Sequence, residues 1–236
     1  MAWKWHAPLE GKGLTFSILT ALAILVGGMI ELIPPYFLQG TIDPIPGVQP
    51  YTALELEGRD IYIREGCVNC HSQMIRPFKT ETDRYGQYTL PGEGVYERPF
   101  LYGSRRTGPD LSRVGGKYPN SWHWIHFRNP REIEPRSNMP PYEFLSRSEL
   151  DLSLTQRKLE VLASLGHPYT EAQIEGAVAD ASAQAAQVAA ALEADGQKLG
   201  ELERRSETIA LIAYLQRLGR DLAQSPPAVA SAGAAQ

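Results

Sequence analysis

The hydrophobic pattern along the chain changes period several times, and each change marks an element. From Leu14 to Ile30 every residue is uncharged and the run is apolar, near the lower length limit for a helix crossing a bilayer. Extending it past Glu31 to Ile33 reaches full spanning length. Pro34-Pro35 is expected to stop this helix, and Tyr36-Phe37 suit an interfacial aromatic position. Gln39 to Pro50 is rich in Pro and Gly and reads as a stiff tether. Thr52-Ala53-Leu54-Glu55 is a capping box opening a helix that carries Leu54, Gly58, Ile61, Tyr62 and Glu65. Residues 78–107 show no clear period, which at that length predicts an interaction surface. Trp122 to Phe127 reads as a short helix ended by Asn129-Pro130, with Trp122 and Trp124 on different faces. Residues 149–165 predict another helix, ended by Gly166 and Pro168. A second capping box, Thr170-Glu171-Ala172-Gln173, opens an Ala-rich run to Asp195-Gly196 with a thin stripe of Ile174, Val178, Ala185, Val188 and Leu192. A closing helix is expected over 207–218, and residues 221–236 have the composition of a disordered tail. The chain is therefore expected to be mainly α.

Charge adds an orientation. Lys4 and Lys12 precede the apolar run, whereas Glu31 and Asp43 follow it, so the positive-inside tendency puts the N-terminus in the cytoplasm. A cleaved signal peptide is the alternative, but the run is long for one and no A-x-A-like site follows. Glu31 reads as a headgroup-level carboxylate or as a functional intramembrane acid. Net charge is −4 over 236 residues and no basic patch stands out, so nucleic acid is not an expected partner.

The chemistry concentrates in Cys67-Val68-Asn69-Cys70-His71, the spacing of a c-type haem attachment site. Two thiols so spaced can each add to a vinyl group on one edge of a porphyrin, which carries the next imidazole under the ring as an iron ligand. The chain has 2 cysteines in all, so a four-thiolate zinc site and a second structural pair are excluded. Thiol–disulfide exchange and a mixed zinc site remain as alternatives, although no βαβ pattern surrounds the cysteines.

A second axial ligand would favour electron transfer. Of the 4 methionines, Met1 is the initiator, Met29 lies in the apolar run, and Met74 is tethered on the side of His71. Met139 remains, in Ser137-Asn138-Met139-Pro140-Pro141-Tyr142, where two prolines stiffen the backbone after it. His123, His126 and His167 are rival distal ligands, and Met139 as a packing residue would leave an open site for a gas sensor or peroxidase. Gly108-Pro109-Asp110-Leu111 is a turn whose Pro109 carbonyl can accept from the other nitrogen of a proximal histidine; by itself it is an ordinary turn. Trp indoles, Arg76, Arg105, Arg106 and Arg128 are candidates for holding haem propionates.

The order Cys67-x-x-Cys70-His71, Gly108-Pro109-x-Leu111, Met139-Pro140 and a final helix with Leu211-Ile212-Ala213-Tyr214-Leu215 resembles class I cytochromes c. In that family the Gly58/Tyr62 pair would pack against the C-terminal helix near Tyr214. The longer strings Cys67–Pro77, Gly103–Leu111 and Trp122–Tyr142, with the N-terminal anchor, resemble the membrane-bound mono-haem subunit of cbb3-type cytochrome c oxidases. The resemblance implies one transmembrane helix followed by a class I cytochrome c domain with a helical insertion. It implies one covalent haem c held by Cys67, Cys70, His71, Met139 and Pro109, with His71 and Met139 on the iron. It further implies electron transfer from a dihaem cytochrome c subunit to the b-type haem of the catalytic haem–copper subunit, in a bacterial inner membrane with the haem domain in the periplasm. A free-standing membrane-anchored shuttle is the competing reading. The expected boundaries are 1–12 cytoplasmic, 13–33 anchor, 34–51 tether, 52–220 haem domain with the insertion at 146–205, and 221–236 tail.

Overall fold

The computed structural model describes residues 6–37 and 42–224, without the side chains of residues 7, 8, 35–37, 223 and 224. Lys4, the aromatic side chains at 36 and 37, and the tail from 225 onward therefore lie outside the described part. The protein is mainly helical, and among the described residues the only β pairing is a single bridge between Glu149 and Ser206. It divides into two units after Asp43.

The first unit holds a short turn of helix, α1 (Ala7–Glu10), and the long α2 (Gly13–Phe37). The span Gly13–Pro34 is long and apolar enough to cross a membrane. Its large apolar side chains, such as Leu14, Ile24, Leu25 and Ile30, are exposed all round within the unit, as a lipid-facing helix requires. The expected stop at Pro34-Pro35 does not occur, because α2 continues to Phe37. Proline's fixed φ is itself helical, so a pair in the last turn removes N–H donors without forcing an immediate exit.

The second unit is built around α3 (Ala53–Arg64) and α9 (Glu207–Arg217). Thr52 caps α3 as its sequence predicts: Thr52 Oγ1 accepts from Glu55 N (3.3 Å) and Thr52 N donates to Glu55 Oε2 (2.9 Å). Gly58 lets α3 and α9 touch backbone to backbone, since a Cβ there would sit 2.0 Å from the Ala210 carbonyl oxygen and 2.8 Å from Tyr214 Cβ. One turn along, the rings of Tyr62 and Tyr214 meet at 5.4 Å, the contact expected from the Gly58/Tyr62 spacing.

Around this pair lie α4 (Lys79–Tyr85), α5 (Asn120–Arg128), α6 (Thr155–Ser164), α7 (Glu171–Glu175), α8 (Ala177–Ala194) and α10 (Arg220–Gln224). The sequence predicts a helix from 149, but α6 begins at Thr155. Leu150 N instead donates to Arg205 O (2.9 Å), and Asp151 Oδ1 accepts from Ser153 N (2.9 Å), which holds the preceding residues extended. The long Ala-rich helix packs on the core rather than standing free. Its buried stripe is Ala177, Ala181, Ala185, Ala189 and Leu192, while the expected Val178 is 43% exposed. Small side chains at i, i+4 spacing let α8 approach closely, so most of the buried face is alanine, with Leu192 at its end. Thr52 Oγ1 also donates to Gln184 on α8 (2.7 Å), and Thr155 Oγ1 donates to Glu57 on α3 (2.7 Å), so both parts of the insertion are bonded to α3.

Two further differences concern the ends. Ile45 and Val48, from the expected tether, bury against Leu222 of α10, and Ile45 N donates to Gly92 O (3.2 Å). The folded unit therefore begins at Pro44 and extends past 220 into α10.

Candidate functional site

Helix α3 ends one short turn before the thiols. Cys67–Asn69 forms a 3-10 turn in which Cys70 N and His71 N both donate to Cys67 O (3.1 and 2.9 Å). The turn places Cys67 half-buried and Cys70 exposed. Burial, reinforced by Glu65 and Cys70, pushes the Cys67 thiol up to about 12. An attacking thiol in a disulfide exchanger needs the opposite shift, so this environment weighs against that chemistry. Among the described residues no three His, Cys, Asp or Glu side chains gather to hold a metal ion.

The chain then runs alongside the Gly108–Leu111 turn. Gly108 N donates to Cys70 O (3.0 Å) and Leu111 N donates to Ser72 O (2.9 Å). Between these bonds His71 Nδ1 donates to the Pro109 carbonyl at 2.9 Å. A carbonyl can only accept, so this bond fixes the proton on Nδ1 and leaves the Nε2 lone pair available to a metal. Gly108 is required by the same contact: a Cβ there would fall 2.2 Å from His71 Cε1. Burial lowers the pKa of His71, opposed by the Pro109 carbonyl and Asp110, which favours the neutral ring that a metal needs.

Beneath the turn lies a buried polar network that the sequence did not reveal. Asp110 accepts from Ser72 Oγ (2.6 Å), Met74 N (2.9 Å) and Ser112 N (2.8 Å). Arg106 Nε donates to Ser72 Oγ (2.7 Å), and its Nη2 reaches Met74 O (2.7 Å) and Glu81 Oε2 (2.8 Å). Arg76 closes the network on Glu81 through its backbone N–H and its guanidinium. Asp110 belongs to the string that draws attention to Pro109, but a turn Asp ordinarily caps only its own next N–H. Ser72 and Glu81 carry no local signal, because their partners are distant in sequence.

Hydrogen bonding from Arg106, then from Arg76, holds the Glu81 carboxyl down at about 2. A depressed folded-state value means the stabilisation is complete above the unfolded value of 4.5 and is lost as pH falls through about 2. Thermal melts between these limits are expected to show an acid-side loss of stability that Glu81→Gln flattens; equal acid limbs in both proteins would contradict it.

Met139 lies on the loop after α5, half-buried against the main core cluster. Its N–H donates to Ser137 Oγ (3.2 Å), and Tyr142 N is tied to Phe127 O at the end of α5 (2.7 Å). Cys67, Val68, Leu111, Tyr118, Met139 and Tyr142 all pack on the edge of that one cluster. The Tyr142 phenol is raised by burial and then by the Cys67 and Cys70 thiols, so the methionine loop lies within electrostatic reach of the attachment turn. The thiols and the His71 imidazole with its carbonyl thus come together from two segments, and the Met139 loop packs on the same core as Cys67, a set of groups that could hold a haem.

The rival histidines separate. His167 packs with the rings of Tyr96 and Tyr169. His126 is held down at about 4 by burial and then by His71, which places it near the proximal ring, and His123 lies next to it. Trp124 is buried in the core, whereas Trp122 stacks on His126 (4.5 Å), so the two indoles face apart as their spacing predicts. Of the arginines considered for propionates, Arg76 and Arg106 are engaged with Glu81, and Arg105 and Arg128 are exposed.

A family model described as "Cytochrome C oxidase, mono-heme subunit/FixO" matches residues 6–222. No curated protein matches the chain.

Proposed function

Because the chain belongs to the FixO family of mono-haem cytochrome c oxidase subunits, we propose that it is the electron-relay subunit of its oxidase and takes no part in oxygen reduction itself. When bound, the haem supplies a one-electron redox centre. Cys67 and Cys70 would hold it covalently, and His71 and Met139 would supply a nitrogen and a sulfur ligand to its iron. His71, fixed in one tautomer by the Pro109 carbonyl, presents Nε2 without rearrangement in either redox state. The two prolines after Met139 hold the thioether loop stiff, and thioether ligation raises the potential relative to a second imidazole, as suits a donor to an oxygen-reducing centre. The His71–Pro109 bond beside the Cys67–Cys70 turn is the observation that carries this reading.

Electrons arrive from another c-type cytochrome, a dihaem subunit, and leave to the b-type haem of the catalytic haem–copper subunit. Helix α2 anchors the chain in the bacterial inner membrane. Lys12 before the span and Glu31 and Asp43 after it support a cytoplasmic N-terminus and a periplasmic haem domain. Anchoring converts encounter with the catalytic subunit into a high effective concentration. Residues 78–107, with Phe78 56% and Phe100 49% exposed, are the surface offered to a partner subunit.

Purification in mild detergent tests the assembly: the chain is expected to elute with oxidase activity and with haem that survives acid–acetone extraction. Elution alone would favour a free shuttle, and rapid carbon monoxide binding by the native ferrous protein would favour an open gas-binding site.

A further inference from the structure

Residues 76–107 carry charge opposite in sign to the chain as a whole. Six Arg and Lys side chains stand there against four Asp and Glu, whereas the protein has a net charge of −4. All four carboxylates are already paired: Glu81 with Arg76 and Arg106, Asp83 with Lys79, Glu93 with Arg113, and Glu97 with Arg59. Among the described residues Arg84, Arg98 and Arg105 pair with no carboxylate, and all three are exposed. Part of this surplus gathers in one patch on α4. The Arg76 guanidinium lies over the Phe78 ring at 5.4 Å, and those of Arg84 and Arg106 lie over the Tyr85 ring at 5.1 and 5.4 Å. Buried Glu81 joins the two halves by holding both Arg76 and Arg106. The patch is open, with Phe78 56% exposed and the Arg76 side chain 54% exposed. Its positive charge faces outward, because Glu81 and the Asp110 carboxylate beside Arg106 are both buried.

What the patch meets follows from chemistry. Arg84 makes no hydrogen bond or ion pair among the described residues, only the contact with Tyr85, so its whole fork of N–H donors is available. A carboxylate is the group whose two oxygens match that fork. Stacking on a ring holds the guanidiniums in place beforehand, which reduces the side-chain entropy lost on binding. Arginine beside exposed aromatic rings is also the composition enriched at protein–protein interfaces. Because the chain is an oxidase subunit, other subunits are at hand to supply the matching surface.

We propose that the patch of Arg76, Phe78, Arg84 and Tyr85 docks an acidic face of another oxidase subunit, with a carboxylate of that subunit on Arg84. This rests on the reading of residues 78–107 as a partner surface and adds the partner's chemistry. Arg106 braces the patch from behind: it donates to Ser72 Oγ (2.7 Å) and to Met74 O (2.7 Å), so the docked subunit bears on the stretch of chain that follows His71.

The test uses membranes holding the assembled oxidase with its full-length chain. Arg84→Lys keeps the charge and supplies an amine, which a carbodiimide joins to a touching carboxylate with no spacer. Mass spectrometry is expected to find position 84 linked to an Asp or Glu of another oxidase subunit, in a yield that falls several-fold from low to high salt. A benzophenone amino acid in place of Phe78 is expected to label the same subunit on illumination. No intersubunit product at position 84 would overturn the proposal. So would a benzophenone that labels only lipid, which would assign the patch to anionic headgroups. Should Arg84→Lys fail to assemble, the benzophenone arm decides alone: labelling of an acidic segment of another subunit supports the docking, and its absence ends it. A wild-type chain that purifies in mild detergent without other oxidase subunits would overturn the relay reading itself, an outcome distinct from all of these.

Discussion

Asp110→Ala is expected to lower the unfolding free energy by about 3–5 kcal/mol, the range for removing one partner of a buried charged network. The carboxylate side chain is 0% exposed and accepts three hydrogen bonds, from Ser72 Oγ, Met74 N and Ser112 N. Alanine cannot replace any of them. The substitution would leave two backbone N–H groups and a hydroxyl without an acceptor, and would take a carboxylate from 3.6 Å beside the Arg106 guanidinium. The loss should extend to the site, because Asp110 directly follows the Pro109 carbonyl that holds His71. Asp110→Asn keeps one acceptor oxygen but turns an NH2 toward donors, so an intermediate loss is expected. Denaturation of the detergent-solubilised protein measures both. Stability unchanged in Asp110→Ala would mean that the network is not supporting the turn.

Met139→Ala is expected to abolish the near-infrared sulfur-to-iron band, lower the midpoint potential and open the ferrous iron to carbon monoxide. Thioether ligation favours the reduced state relative to a nitrogen or water ligand. For a one-electron couple every fall of about 59 mV makes onward transfer tenfold more favourable but acceptance from the donor tenfold less so. Electron supply from a c-type donor should therefore drop by about tenfold or more, with haem content unchanged because both thiols remain. A band and potential like wild type would remove Met139 from the iron. A new low-spin spectrum would instead show another strong-field ligand taking its place.

Much of the local structure is legible in the sequence because it depends on neighbours a few residues apart. Both capping boxes form as written, at Thr52 and at Thr170. The apolar run from Leu14 becomes one long helix, and the Trp122/Trp124 spacing sends the two indoles to different surroundings. The attachment motif is legible for a covalent reason: its chemistry resides in the spacing of two thiols and an imidazole, whatever the fold around them. Pro109 is less legible, since a Gly-Pro-Asp-Leu turn acquires meaning only from the ring that reaches it.

What sequence alone determined is therefore the long apolar helix, the capped starts of the helices at Thr52 and Thr170 and the spacing of the thiols and imidazole, all written in contacts within a turn or two of helix, whereas α4 and α10 left no such mark. Tertiary structure decided which faces meet. It turned the buried face of α8 onto Ala177, Ala181 and Ala189 beside the expected Ala185 and Leu192 and left Val178 exposed, drew Ile45 and Val48 from the tether onto Leu222, and committed Arg76 and Arg106 to Glu81. Such choices compare the burial and pairing of residues far apart in the chain, and composition and period carry no record of that comparison.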